Sequence, residues 1–182
     1  MPAPDVSAVE LRTARLLLRP PRAEDFAPWA ENAADAEAMT HLGGAQHEAV
    51  AWRAFLAAVG GWHVEGFGMF SVVERETGDW VGRVGPLRPV GWPGTEVGRG
   101  IVRSRWGRGY ATEAAAASMD YAVDRLGWTE VIHCIEDANI ASIRVAERLG
   151  SRRLRTARLP PPADVDVVVW GQTADDWRAR RA

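Results

Sequence analysis

Ser104-Arg-Trp-Gly-Arg-Gly-Tyr-Ala-Thr-Glu113 lies between a glycine-rich apolar stretch, Glu96 to Val102, and an alanine run that leads on to Leu126. Gly107 and Gly109 let the backbone turn so that successive N–H groups point into one concavity. The helix that the alanines predict adds its unpaired first-turn N–H groups and the positive end of its dipole. Arg103, Arg105 and Arg108 bring formal charge to the same place, with no acid between Glu96 and Glu113. A strand, a glycine turn and a long helix in that order form a seat for an anion, and a pyrophosphate fits it. A turn that merely started a helix would need no ring of arginines. The third glycine of a dinucleotide fingerprint and the Gly-Lys-Ser/Thr ending of a P-loop are both missing, so the pyrophosphate belongs to another cofactor.

Working outward, Gly127 closes this helix. Val131 to Ile135 follows as a buried strand, and Asn139 to Leu149 as a helix capped by Asn139 and stopped by Gly150. Strand, crossover helix and strand imply a parallel pair inside a mixed sheet. Asp166 to Trp170 predicts a late strand, and Asp175 to Arg181 a terminal turn of helix. Upstream, Met69 to Val73 and Trp80 to Val84 flank Glu76-Thr-Gly-Asp79, a hairpin turn by composition. Trp52, Phe55, Leu56 and Val59 mark an amphipathic helix that ends at Gly60-Gly61 or a turn later. Phe26, Trp29, Ala30 and Ala33 mark another from about Arg22 to Ala34, and Arg15 to Pro20 is a first strand. The resulting order, β-α-α-β-β-β-α-β-α-β-β, predicts an α/β protein with a loose tail at 1–8 and one domain over 9–182.

The bulk numbers agree with that class. The chain has 182 residues, 47 % hydrophobic and 25 % charged, with a net charge of −2. That length supports a core without staples, and the charge points to neither nucleic acid nor an anionic membrane. No apolar run approaches the roughly 20 residues of a spanning helix. Met1 to Ala8 lack the pattern of a secretory signal, and Cys134 is the single cysteine, so a cytoplasmic protein without disulfides is expected. His41, His47, His63 and His133 show no metal-ligand spacing, so no metal is expected.

Trp106-Gly-Arg-Gly-Tyr-Ala-Thr-Glu-Ala114, followed by Asn139-Ile-Ala-Ser-Ile-Arg-Val-Ala-Glu-Arg-Leu-Gly150, strongly resembles the GNAT superfamily of N-acetyltransferases. Within it the chain is similar to the branch of the ribosomal-protein alanine and serine N-acetyltransferases, over most of its length. The resemblance implies a mostly antiparallel sheet with flanking helices, in which the Glu96–Val102 strand splays from the Val131–Ile135 strand. It implies acetyl-CoA as co-substrate, with pantetheine in the gap pairing with backbone near Ile101, Val102 and Arg103. The amides of Arg105, Trp106, Gly107, Arg108, Gly109, Tyr110 and Ala111, with Thr112 beside them, would hold the pyrophosphate. Asn139 would contact the pantetheine arm and Ser142 would lie near the thioester sulfur. Two positions depart from the family pattern. Ser104 stands where Gln or Arg usually opens the loop, and Ala146 where many members carry a tyrosine.

Amide formation from a thioester needs a neutral amine, a stabilised oxyanion and a protonated thiol. Alkyl ammonium groups have pKa values near 10 and α-amines near 8, so a base must help at pH 7. Glu96 is the candidate base; its plainer role is an exposed strand-start carboxylate or an ion-pair partner of Arg99 or Arg103. Ser142 is the candidate acid; its plainer role is a third-position helix residue bonded back to the Asn139 cap. By the family pattern a backbone N–H near Ile101 or Val102 holds the oxyanion. Cys134 sits mid-strand as packed core.

Other signals carry less. His133-Cys-Ile-Glu-Asp137 spells H-x-x-x-D without the glycine that follows it in larger O-acyltransferases. Trp92, in a Gly-Trp-Pro-Gly loop, either walls the acceptor site or covers the edge of the core. Arg152, Arg153, Arg155 and Arg158 form a second acid-free run, best taken as a solvated strand face; contact with the CoA 3′-phosphate or an RNA is the alternative. The acceptor is the N-terminal amine of a protein or a small-molecule amine, and a homodimer is left open. A non-catalytic acyl-CoA sensor, or an RNA-associated basic module, are the readings of other classes.

Overall fold

The computed structural model describes residue 6 and residues 8–181. The expected loose tail thus lies mostly outside the described residues, although Val6 is buried in the main core. The strands are β1 (Leu11–Arg12), β2 (Leu16–Arg19), β3 (Phe70–Glu74), β4 (Trp80–Leu87), β5 (Glu96–Ile101), β6 (Glu130–Ile135), β7 (Arg152–Arg158) and β8 (Asp166–Thr173). The helices are α1 (Phe26–Ala34), α2 (Glu48–Glu65), α3 (Tyr110–Asp124), α4 (Ile140–Arg148) and α5 (Ala174–Arg181). One sheet takes the order β1-β2-β3-β4-β5-β6-β8-β7, and only β5 and β6 run parallel. That is the α/β class and mixed sheet the sequence predicts.

Apolar alternation places the sheet between two helical layers. Leu16 and Leu18 of β2, Val72 of β3, Val84 of β4 and Val97 of β5 join Ala114, Ala115, Met119 and Ala122 of α3 in the main core. The alanines let α3 lie close to the strands. A smaller cluster joins Trp29 and Ala33 of α1 to Ala51 and Phe55 of α2 and to Trp80. Under its edge, Asp25 accepts two hydrogen bonds from the Arg19 guanidinium (2.7 and 2.8 Å) and one from Ser71 (2.7 Å).

The glycine pair at 60 and 61 does not stop α2, which continues to Glu65 and ends on Gly66 at φ 78°. Each helical glycine costs about 1 kcal/mol relative to alanine. Trp62, in the next turn, is 1 % exposed and packs edge-on against Phe70. Losing such a tryptophan typically costs about 3–5 kcal/mol, so its burial outweighs the two glycines. Similarly, Trp177 is buried and carries the terminal turn out to a full α5.

Candidate active site

The seat is built where β5 runs through a short 3-10 turn, Arg103–Arg105, into α3. Gly107 has φ 74° and Gly109 φ 80°, backbone that a side chain strongly disfavours. Gly109 is the N-cap of α3 and carries no side-chain acceptor, which leaves the first-turn N–H groups to a ligand. Distant side chains hold this turn in place. Arg15 donates to the Arg108 carbonyl (2.8 Å) and through Nε to Glu113 (2.8 Å), and its guanidinium stacks 4.5 Å from the Tyr110 ring centroid. Glu113 also accepts from the Thr13 hydroxyl (2.6 Å) and the Arg15 N–H (2.9 Å). Burial pushes the Glu113 carboxyl up, but those bonds win and hold it below the usual range. Tyr110 donates to Glu74, and with Thr77 and the nearby arginines this keeps Glu74 ionised against the effect of desolvation.

The ring of arginines divides. Arg103 pairs with Asp35 (2.8 Å) and Glu37 (3.6 Å), and Arg105 with Glu74 (3.2 Å) and Asp79 (2.8 Å). Arg108 forms no salt bridge among the described residues, although it lies near enough to Glu74 to help lower that carboxyl. Beside the seat, a cavity of about 720 Å³ opens between α1 and the β3–β4 turn, lined by Asp35, Asp79, Arg103 and Arg105 among others.

The splay begins one residue into β5. Glu96 is level with Ile132, whose N–H donates to the Thr95 carbonyl (2.9 Å), and no further backbone pair joins β5 to β6. Side chains replace the missing ladder. The Glu96 carboxylate accepts from the Cys134 N–H (3.0 Å) and, on its other oxygen, from Trp92 Nε1 (2.5 Å). His133 is fully buried with its pKa pushed down to about 3, chiefly by desolvation. The ring is therefore neutral, and its Nδ1–H donates to the Val97 carbonyl (2.8 Å). Arg99 reaches across to donate to the Ser142 carbonyl in α4 (2.7 Å), while burial lowers its pKa to about 10.

Of the three expected pantetheine partners, Val102 has both backbone groups taken, while Ile101 and Arg103 have their carbonyls taken. The Val102 N–H donates to Val81 (3.0 Å) and the Val102 carbonyl accepts from Arg105 (3.0 Å). The Arg103 carbonyl accepts from Trp106 (3.1 Å), and the Ile101 carbonyl takes the Trp106 indole N–H (2.7 Å). In an antiparallel ladder hydrogen-bonding direction alternates. With Val102 turned to β4, the Ile101 N–H and both backbone groups of Arg99 turn toward β6, where the ladder is open.

Glu96 is 6 % exposed and makes no salt bridge with Arg99 or Arg103, so it is neither an exposed strand-start carboxylate nor an ion-pair partner. Burial raises its pKa against the pull of Trp92, Cys134 and Arg99. Asn139 caps α4, accepting from the Ser142 N–H (3.1 Å), while the Asn139 N–H donates to Glu136 (2.9 Å) rather than to the Ser142 hydroxyl. The capping role of this pair is real but runs one way. Ala146 is fully buried, and burial pushes the Cys134 thiol up, away from thiolate chemistry. No group of three potential metal ligands occurs among the described residues, and none of their helices is long and apolar enough to cross a membrane. The second arginine run forms edge strand β7: Arg158 pairs with Asp164 and Asp166, Arg152 with Asp176, and Arg155 donates to Pro93. Thr13, Arg15, Glu74 and Glu113 support the seat without having been singled out in the sequence.

A family model described as the acetyltransferase (GNAT) domain matches residues 15–152. An acetyltransferase from Agrobacterium tumefaciens is 31 % identical, over 91 % of this chain and 95 % of its own, with a TM-score of 0.79. The ribosomal-protein-S5-alanine acetyltransferase of Vibrio fischeri shares the fold at a TM-score of 0.73 and 17 % identity, over 93 % of this chain and 98 % of its own. Among curated proteins, YkkB of Bacillus subtilis is 34 % identical over 51 % of this chain; the match spans about half of that relative's length (55 %). The chain belongs to the GNAT acetyltransferase family.

Proposed function

We propose that the protein transfers an acetyl group from acetyl-CoA to a primary amine in the cytosol, by direct attack without an acyl-enzyme. The observation that carries this is the buried Glu96 carboxylate at the mouth of the β5–β6 splay, on the strand that leads into the glycine seat. The N–H groups from Gly107 to Thr112 would hold the pyrophosphate, because those of the expected Arg105 and Trp106 are taken by the Val102 and Arg103 carbonyls. Pantetheine would lie along β5, paired with Arg99 and flanked by Asn139. The Ile101 N–H, directed into the gap, is the donor for the oxyanion.

Glu96 takes the proton of the incoming ammonium. Its raised pKa makes it a better proton acceptor than an exposed carboxylate once it is ionised. Trp92 and the Cys134 N–H fix the carboxylate, and Trp92 thereby walls the acceptor side. Ser142, half-buried in the first turn of α4, gives a proton to the departing thiolate. Arg99 holds the Ser142 carbonyl and sets the distance between β5 and α4.

Thiol release from acetyl-CoA, followed over a panel of peptides and small amines, tests the reading. Acetyl-CoA should also raise the melting temperature, and at a hundredfold excess over its Kd the gain is about 2.7 kcal/mol. Absence of both effects at millimolar acetyl-CoA removes it.

A further inference from the structure

We propose that the acceptor groove binds an anion as well as an amine, with the amine at Glu96 and a carboxylate of the same acceptor at Arg83. The proposal rests on the acetyl-transfer reading for which groove receives the acceptor. Its geometry comes from the alternation of β5. Val97 and Ile101 belong to the main core with α3, so Glu96, Gly98 and Gly100 face the other way. Above Gly98 lie Leu87 and Met69; above Gly100 lie Leu42 and Arg83. The groove thus has a carboxylate at one end, an apolar floor and a guanidinium at the other end.

Arg83 is unlike the other buried or partly buried arginines of this face. Arg19 and Arg105 each have a carboxylate within 4 Å. Arg83 has no salt bridge and no hydrogen bond among the described residues, and its guanidinium lies 4.4 Å from the Trp29 ring centroid. Desolvation alone lowers its pKa to about 10, so it stays charged at neutral pH. A cation held in a partly dry groove without a counter-ion is costly unless a ligand supplies one. The Arg83 side chain lies over Gly100: a Cβ added there would be in van der Waals contact with Leu42 (3.4 Å) and with Arg83 (3.9 Å).

The spacing sets the size of the acceptor. Arg83 is level with Gly100, four residues along β5 from Glu96. At about 3.3 Å per residue that is roughly 13 Å between backbones, and on the order of 10 Å once both side chains lean in. Three extended residues span up to about 10 Å. The acceptor class is therefore a peptide-like amine with a carboxylate about three residues from its N terminus, either a free C terminus or an acidic side chain. A polyamine, with a cation at that distance, is disfavoured.

The test measures binding of Ala-Ala-Ala, its C-terminal amide and Ala-Ala-Asp amide to the CoA-loaded protein by calorimetry, and thiol release with each in the presence of acetyl-CoA. The free acid should bind at least about tenfold more tightly than Ala-Ala-Ala amide, as a charge-assisted guanidinium–carboxylate contact implies. Arg83→Met, which keeps packing on Trp29, should erase that ratio, and Arg83→Lys should restore part of it. The Asp amide matching the free acid shows that the site takes either carboxylate, and its matching the plain amide assigns it to a free terminus. Equal binding of all three by the wild-type protein, binding of none, or a preference that survives in Arg83→Met overturns the proposal. A preference without thiol release overturns acetyl transfer and leaves the anion site standing. Thiol release without a preference does the reverse.

Discussion

The two ends of β5 solve opposite problems. At the Gly107–Gly109 turn, backbone N–H groups are left free, and side chains such as Arg15, Glu113 and Tyr110 hold the chain from behind. At the Glu96 end, backbone groups have lost their ladder partners, and the Glu96 and His133 side chains stand in for the missing strand contacts. The first region depends on a backbone conformation, the second on particular side-chain atoms. Substitutions should therefore act differently at the two ends: conformation governs cofactor affinity at one, and chemistry governs turnover at the other.

The largest effect is expected at Gly109→Val. A β-branched residue at φ 80° is strained, and relief of that strain turns the first-turn N–H groups away from the pyrophosphate. CoA affinity should fall beyond detection by calorimetry while circular dichroism still reports a folded protein. Normal CoA affinity in that variant makes the turn merely a helix start.

Glu96→Gln comes next. It should lower kcat/KM at pH 7 by on the order of a hundredfold with CoA affinity unchanged. A proposed base of this kind works only when ionised, so wild-type activity should fall as pH drops through its raised pKa, higher than for an exposed carboxylate. The variant loses that acidic limb and recovers at high pH, where the amine is already neutral. Ser142→Ala should lower turnover at high pH too, since the thiolate must still leave. Wild-type rates from pH 6 to 9 in Glu96→Gln would leave the carboxylate as a strut for Cys134.

How far the sequence predicted each region follows from the same contrast. The strand, glycine turn and helix of the proposed anion seat were legible because their signal is local: glycines, alanines and arginines within ten residues of one another, with Asn139 placed just as locally before α4. Arg15 and Glu113 are 98 residues apart, and nothing near either names the other. The acids that neutralise Arg103 and Arg105 come from α1's end and the β3–β4 hairpin, so an acid-free run in sequence is not an uncompensated charge in space. Glu96 could be nominated but not placed, because its burial depends on Trp92 and β6 arriving together. The stop of α2 depended likewise on where Trp62 would pack.

His133 sharpens the contrast through stability. Its pKa is about 3 in the folded protein and near 6.5 when unfolded, so between those values the unfolded chain binds more protons. Stability contributed by the neutral ring is present above pH 6.5 and is lost as pH falls towards 3, at up to about 1.4 kcal/mol per pH unit. Urea melts of wild type and His133→Gln from pH 7 to 4 should differ in slope by close to one proton. Parallel slopes would mean that the ring titrates normally and the splay is not closed by a neutral donor.

The smallest effect is expected on β7, the edge that neither region uses. Arg152, Arg153, Arg155 and Arg158 are exposed there. Arg158 lies between Asp164 and Asp166 and Arg152 beside Asp176, so much of the apparent basic stripe is already balanced. Exposed pairs of this kind contribute about 0–1 kcal/mol, and arginines along an edge strand serve mainly to discourage pairing with another sheet. Arg158→Gln should therefore shift the unfolding free energy by less than about 1 kcal/mol and leave both CoA affinity and kcat/KM unchanged. Two results would revise this. A loss of CoA affinity would assign the strand to the 3′-phosphate and extend the cofactor site far beyond the glycine turn. A steep salt-dependent affinity of the wild-type protein for RNA, weakened in Arg158→Gln, would make β7 a nucleic-acid surface. With neither, the second arginine run is a solvated strand face, and since both runs carry paired carboxylates, the difference between them is that only the first lies beside a helix N-terminus.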